Sequence, residues 1–153
     1  MNIWRLCTAR YATNPLSGEG VRLYGGRWNY PGIPVAYTAG SLALALLELL
    51  VHIDYDLVPS DLVSIEVYVP PSASIERVEI SSLPRNWRAY PAPESLRKIG
   101  SAWAIEKRSL LLEVPSVVVP NERNYLVNPQ HPEFTNLKIG HPKPFKFDPR
   151  LIR

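Results

Sequence analysis

Cysteine is nearly absent from the sequence, with only Cys7 in 153 residues. A single cysteine excludes an intramolecular disulfide framework and a cysteine-rich zinc site, so we expect a reducing compartment. The three histidines, at positions 52, 131 and 141, do not have the spacing of zinc ligands. We therefore predict no metal site.

Long hydrophobic runs are also absent. The longest, at 42–51, is about half a membrane span and contains Glu48. The first residues lack the charged and apolar regions of a signal peptide. We therefore expect a cytoplasmic protein with no membrane contact.

Glycine is scarce, at eight residues, whereas the sixteen prolines are about twice the usual frequency. Five of the glycines lie in residues 14–34, which predicts a long loop of the kind that is often functional. There is no repeat or low-complexity block, and 46% of the residues are hydrophobic. These features predict one domain over residues 1–153.

Charge is unevenly distributed. Residues 138–153 contain five basic residues and one acid, a net of +4, which leaves −1 for residues 1–137. This basic C-terminal segment is either a solvated tail or a contact for an acidic partner or a phosphate. A non-catalytic nucleic-acid-binding module that uses it is one function to consider, although the nearly neutral body argues against it.

Strands and helices are predicted in mixed order. Strands are expected at 3–7, 35–39, 62–69, 75–80, 110–114, 116–119 and 124–127, and helices at 42–53 and 94–108. Ser41 is the expected N-cap of the first helix, which is apolar nearly all round and is therefore predicted to be buried. Without a regular βαβ period, the order favours an α+β fold.

Glu48 lies within that apolar helix. Its neighbours three and four residues away are Leu44, Ala45, Val51 and His52. Burying a carboxylate is costly, so Glu48 must face a polar cleft, pair with a cation or stay protonated. An internal ion pair with His52 and a functional carboxylate both remain open.

Arg27 lies in the sequence Gly25-Gly26-Arg27-Trp28-Asn29. Glycines allow the backbone to approach a ligand, and arginine presents a planar fork to phosphate or carboxylate. Trp28 could stack on a ring. Two adjacent glycines are a weak motif, however, and a turn with a surface arginine and a packing tryptophan is the alternative.

Several short motifs taken together resemble the RES-domain family, the toxin half of bacterial toxin–antitoxin pairs. They are Trp4-Arg5, the Gly25–Asn29 motif, Pro34–Ala39, Ser41–Glu48, Trp103, Val114-Pro115-Ser116, Asn124–Pro129 and His131. The arginine, glutamate and serine that give the family its name correspond to Arg27, Glu48 and Ser116.

The resemblance implies an ADP-ribosyltransferase-like split β-sheet around an NAD cleft, flanked by helices. It implies catalytic roles for Arg27, Tyr37, Glu48 and Ser116. Glu48 would stabilise the oxocarbenium character that develops on the ribose when the nicotinamide–ribose bond breaks. Ser116 would bind substrate or orient Glu48.

The resemblance also implies residues that bind NAD, the substrate. Arg27 would hold the pyrophosphate, and Tyr37 would stack on the cationic nicotinamide ring. Trp28 is a further stacking candidate, and Asn128 would shape the cleft wall.

The function implied is that of a type II toxin that depletes cellular NAD by hydrolysis or phosphorolysis. The nearest alternative is ADP-ribosylation of a protein target. The implied partner is a cognate Xre-type antitoxin, through which alone the toxin would contact DNA, and a homodimer is also considered.

Overall fold

The computed structural model describes residues 1–152, without the side chain of Tyr55. Arg153, the last residue of the basic segment, lies outside the described residues. The helices are α1 (Glu19–Tyr24), α2 (Leu42–Leu50) and α3 (Glu94–Ile105). The strands are β1 (Asn2–Thr8), β2 (Ala36–Ala39), β3 (Leu62–Tyr68), β4 (Ile75–Arg77), β5 (Leu111–Pro115), β6 (Arg123–Val127), β7 (Lys138–Ile139) and β8 (Lys143–Pro144).

The strands form one curled sheet in the order β4-β5-β6-β2-β1-β3-β7, and β8 also pairs with β3. Only β4 and β5 are parallel. β1 pairs with β3 over seven residues but with β2 only through Trp4 and Ala39, so the two halves of the sheet diverge between β1 and β2. The predicted α+β class, a sheet around a cleft with flanking helices, is confirmed.

Local sequence explains the elements around this divergence. The Ser41 hydroxyl caps α2 by accepting a hydrogen bond from the Leu44 amide at 3.1 Å. Apolar residues alternate along β3 at Val63, Ile65 and Val67, and the last two of these are fully buried. The cap and β2 together fix the start of α2 next to the place where the sheet opens.

The two larger of three hydrophobic clusters among the described residues hold the sheet in place. One lies around β1 and β3 and includes Ile3 and Ile65, both fully buried. The other lies between α3 and the β5–β6 region and includes Trp28, Leu96 and Trp103. α3 is therefore held against the same segment that carries Arg27.

Three local predictions were wrong. Residues 14–34 are not all loop, because Gly18 and Gly25, at φ of +72° and +74°, delimit the short helix α1. Residues 116–119 do not form a strand: Pro115 ends β5, and the next residues turn around the Ser116 hydroxyl. Nor is α2 buried all round, because only one face meets the sheet, and Leu47 on the other face is 39% exposed.

The first half of the C-terminal segment joins the sheet. β7 and β8 both pair with β3, and their lysines and proline lie at the edge of the sheet. Among the described residues, no helix is long and apolar enough to span a membrane.

Candidate active site

A cleft of about 530 Å³ lies where β1 and β2 diverge. Its walls come from β1, β2, α2 and α3, together with residues 25–28, 90–92, 114, 115, 117 and 124. This volume is in the range of small-molecule sites. Within residues 1–152, no group of three metal-ligating side chains was found.

Glu48 lies on the face of α2 that lines the cleft and is half-buried. Its Oε1 atom accepts two hydrogen bonds, from the Ser116 hydroxyl at 2.6 Å and from Asn124 Nδ2 at 2.7 Å. This oxygen is thus satisfied by neutral donors. The expected alternative, an ion pair with His52, is not among the interactions of the described residues, although His52 lines the same cleft.

Ser116 itself is fully buried. Its hydroxyl accepts hydrogen bonds from the amides of Val118 and Val119, at 3.1 and 3.0 Å, while donating to Glu48. Because every described contact of this hydroxyl is internal, the geometry favours a role in orienting Glu48 over direct contact with a ligand.

Arg27 lies opposite, on the segment between α1 and β2. Its Nη1 donates to the carbonyls of Trp87 and Ala89, at 3.1 and 3.0 Å, and so holds the loop before α3. Burial lowers the pKa of the guanidinium, with Glu48 among the groups that oppose this effect. Arginine remains charged nonetheless.

The Tyr37 hydroxyl joins the Arg27 segment to the sheet. It accepts a hydrogen bond from the Trp28 amide at 3.1 Å and donates one to Asn29 Oδ1 at 2.5 Å. Burial raises the pKa of this hydroxyl, so it stays protonated as a donor. A Cβ on Gly26 would lie 2.5 Å from it, and this close approach requires glycine there.

The cleft is electropositive. Arg5 and Arg97 line it in addition to Arg27, whereas Glu48 is its single acidic residue among those described. The Nη1 of Arg5 donates to the Tyr37 carbonyl, across the divergence of β1 and β2. Arg97 Nε donates to the Gly26 carbonyl. Such a lining is suited to a ligand that carries phosphate groups.

Arg27, Tyr37 and Glu48 line the cleft, and the buried Ser116 joins them through its hydrogen bond to Glu48. The other two predicted residues are less available to a ligand. Trp28 is 3% exposed and packs into the cluster beneath α3, which leaves its ring little surface for stacking on a ligand. Asn128 does not line the cleft. Its side chain is buried and bonds the Ala104 carbonyl and the Gln130 amide.

Three site residues were not singled out from the sequence: Asn29, Arg97 and Asn124. Asparagine is depleted in strands, so Asn124 near the start of β6 was a usable signal. The signal for Asn29 was weaker: it is the last residue of the Gly25–Asn29 motif. Arg97 had none, because a helical arginine usually lies on a solvated face.

The chain matches known proteins over its whole length. The family model for the RES domain matches residues 2–148. A Prs ADP-ribosylating toxin of Sphingobium sp. (strain YBL2) is 42% identical, with 99% of this chain and 97% of that protein covered. A Toxin Res of Yersinia enterocolitica is 40% identical, with 99% of both chains covered.

A solved structure has the same fold. The M. tuberculosis MbcT–MbcA toxin–antitoxin complex contains a chain that superposes with a TM-score of 0.72 at 20% identity. The match covers 99% of this chain and 86% of that one. With the family model and the two relatives, it leads to one conclusion: this chain is a member of the RES-domain family.

Proposed function

We propose that this protein is the toxin of a toxin–antitoxin pair and consumes NAD in the cytoplasm by cleaving the nicotinamide–ribose bond. The observation that carries the proposal is the Glu48 carboxylate, held by Ser116 at 2.6 Å in a cleft whose other lining residues include three arginines. A fixed carboxylate beside cationic side chains matches the two needs of NAD cleavage, which are to stabilise a cationic ribose and to bind a pyrophosphate.

Each side chain has a proposed task. Glu48 stabilises the positive charge that develops at the ribose as nicotinamide departs with the bonding electron pair. The remaining donors of Arg27 bind the pyrophosphate, while its Nη1 continues to hold the loop before α3. Tyr37 supplies an aromatic surface for the nicotinamide ring, and its hydroxyl keeps the Arg27 segment in place.

The first test is nicotinamide release from NAD by the purified protein, compared with Glu48→Gln. Removing the charge at constant size should lower the rate on the order of 10²- to 10³-fold, the scale for loss of one charge-stabilising group. Glu106→Gln is the matched control, because that glutamate lies on the surface at the end of α3. Absence of nicotinamide release by wild type, with and without phosphate or cell extract, would contradict the proposal.

The acceptor of the ADP-ribose is identified in the same experiment. NAD labelled in its adenylate half yields free ADP-ribose after hydrolysis and a phosphorylated ADP-ribose after phosphorolysis. Label that remains on protein identifies the second candidate, an ADP-ribosyltransferase acting on a protein target. That candidate is favoured by the 42% identity to a relative named as an ADP-ribosylating toxin.

We also propose an Xre-type antitoxin that covers the mouth of the cleft. Tyr90 lines the cleft and is 87% exposed, and Leu47 of α2 and Val51 at its C-terminal end are also exposed apolar side chains. The solved neighbour is likewise a toxin bound to its antitoxin. Co-expression with the product of the adjacent gene should restore growth that the toxin arrests, and Glu48→Gln should be harmless alone.

The third candidate is a nucleic-acid-binding module that uses the basic segment. It predicts salt-dependent binding of DNA or RNA that survives Glu48→Gln. The incorporation of β7 and β8 into the sheet gives residues 138–144 a structural role without such a ligand.

Sedimentation of the purified protein alone would show whether it forms a homodimer.

A further inference from the structure

We infer that Asn124 is a positioning residue for Glu48. Together with Ser116 it fixes Oε1 of the carboxylate, so that Oε2 is the oxygen presented to a ligand. The inference rests on the proposed function, in which Glu48 is the catalytic carboxylate.

Asn124 reaches Glu48 from the middle of the sheet. It lies on β6, paired with Ala39 of β2 on one side and Val114 of β5 on the other. Its side chain lines the cleft, and its Nδ2 is 2.7 Å from Glu48 Oε1. The backbone that carries this donor is thus fixed by pairing on both sides.

The orientation of the Asn124 amide follows from this contact. Its Oδ1 is buried and has no hydrogen-bond partner among the described residues. Turning the amide over would place Oδ1 against the carboxylate oxygen, so that two acceptors would face each other. An orphaned carbonyl is unfavourable, and the hydrogen bond from Nδ2 to a charged group is the compensation that the structure provides.

Two donors fix the rotation of the Glu48 carboxylate, which one donor alone would not. The terminal torsion of a glutamate has a broad distribution, so a carboxylate held by Ser116 alone could rotate and exchange its two oxygens. The second donor lies on β6, whereas Ser116 lies in the turn after β5, and it also selects Oε1. Among the described residues Oε2 accepts no hydrogen bond, which leaves it for the ribose.

The kinetic test compares Asn124→Ala and Asn124→Asp with wild type. Both variants remove the donor, and aspartate keeps the size while adding charge repulsion against Glu48. We expect kcat for nicotinamide release to fall on the order of 10²-fold in the alanine variant, the effect of a displaced reacting group, and further in the aspartate variant. The KM for NAD should not change, because the lost interaction serves the transition state.

Ser109→Ala is the control for general damage to the fold. Its hydroxyl accepts from Trp103 Nε1 and donates to the Leu111 carbonyl, away from the cleft, so its loss should lower the melting temperature and leave kcat unchanged. Wild-type kcat in Asn124→Asp would overturn the inference. A raised KM with unchanged kcat would overturn it too, because Asn124 would then be a ligand contact.

A spectroscopic test does not depend on catalysis. In the free protein, the side-chain amide protons of Asn124 should resonate downfield and move upfield in Glu48→Ala, where the charged acceptor is lost. If wild type releases no nicotinamide, the proposed function fails, while this shift still decides whether Asn124 holds Glu48. An amide resonance that Glu48→Ala does not move would overturn the inference.

Discussion

The Tyr37 hydroxyl shows how much of the cleft depends on one atom. It is the common partner of the Trp28 amide and of Asn29 Oδ1, both of which belong to buried residues. Through them it determines where the segment bearing Arg27 lies relative to the sheet. A group of this kind contributes to stability and to geometry at once.

Tyr37→Phe should therefore destabilise the protein. Removing the hydroxyl leaves a buried donor and a buried acceptor unpaired, at a cost of about 1–3 kcal/mol in the free energy of unfolding. Urea denaturation measures this, and Tyr24→Phe, at a side chain that is 80% exposed, is the control. Equal unfolding midpoints for the two variants would show that the Tyr37 hydroxyl contributes nothing.

The same substitution has a consequence at high pH. Burial raises the pKa of the Tyr37 hydroxyl above its unfolded value, so its stabilising contribution is complete below that value and is lost as pH rises. Wild type should lose stability above about pH 10 more steeply than Tyr37→Phe. Parallel stability curves over this range would argue against a buried, hydrogen-bonded hydroxyl.

At the scale of elements, α3 forms the support beneath the Arg27 segment. A Cβ on Gly100 of this helix would lie only 1.9 Å from the carbonyl oxygen of Trp28. The helix therefore packs directly against the backbone of this segment. At Gly100 there is room for the hydrogen atom of a glycine but not for a methyl group. Arg97, one turn earlier, bonds the Gly26 carbonyl of the same segment.

Gly100→Ala should separate α3 from this segment. Overpacking of this kind costs about 1–3 kcal/mol in the free energy of unfolding, and displacing Arg27 should also weaken NAD binding. Gly20→Ala is the matched control, since the atom nearest to a Cβ added there would be the Tyr11 hydroxyl oxygen, at 3.9 Å. That control should be neutral or stabilising by about 0.4–1 kcal/mol. Calorimetry and NAD titration distinguish the two variants, and equal behaviour would contradict the packing argument.

At the scale of the whole molecule, the C-terminal segment closes an edge of the sheet. β7 and β8 pair with β3, and the amides of Gly140 and Phe145 donate to the Glu66 and Leu62 carbonyls. Lysine and proline at an edge discourage further strand pairing. The basic residues that suggested an acidic partner thus also suit a protective edge.

Truncation after Leu137 should uncover β3. Its unpaired main-chain groups would favour association between copies, so light scattering should rise and the urea midpoint should fall. Lys143→Gln with Lys146→Gln keeps the backbone and should leave both properties unchanged. A truncated protein that stays monomeric and equally stable would show that the segment is a dispensable tail.

The sequence by itself supported the α+β class, the start of α2 at Ser41 and the family. These follow from local signals: alternation along β3, a capping serine, and short motifs that carry chemistry. It also selected Arg27, Tyr37 and Glu48, which line one cleft in the structure, and Ser116, a buried residue that donates to Glu48. Their catalytic roles remain predictions.

Only the tertiary structure decided which side chains meet. Ser116 and Asn124 are 68 and 76 residues from Glu48, and both reach it because β5 and β6 are neighbours in the sheet. It also separated Asn128 from the cleft and buried the Trp28 ring. Local pattern predicts helices, strands and caps because they depend on near neighbours, whereas contacts across a sheet depend on how the whole chain folds.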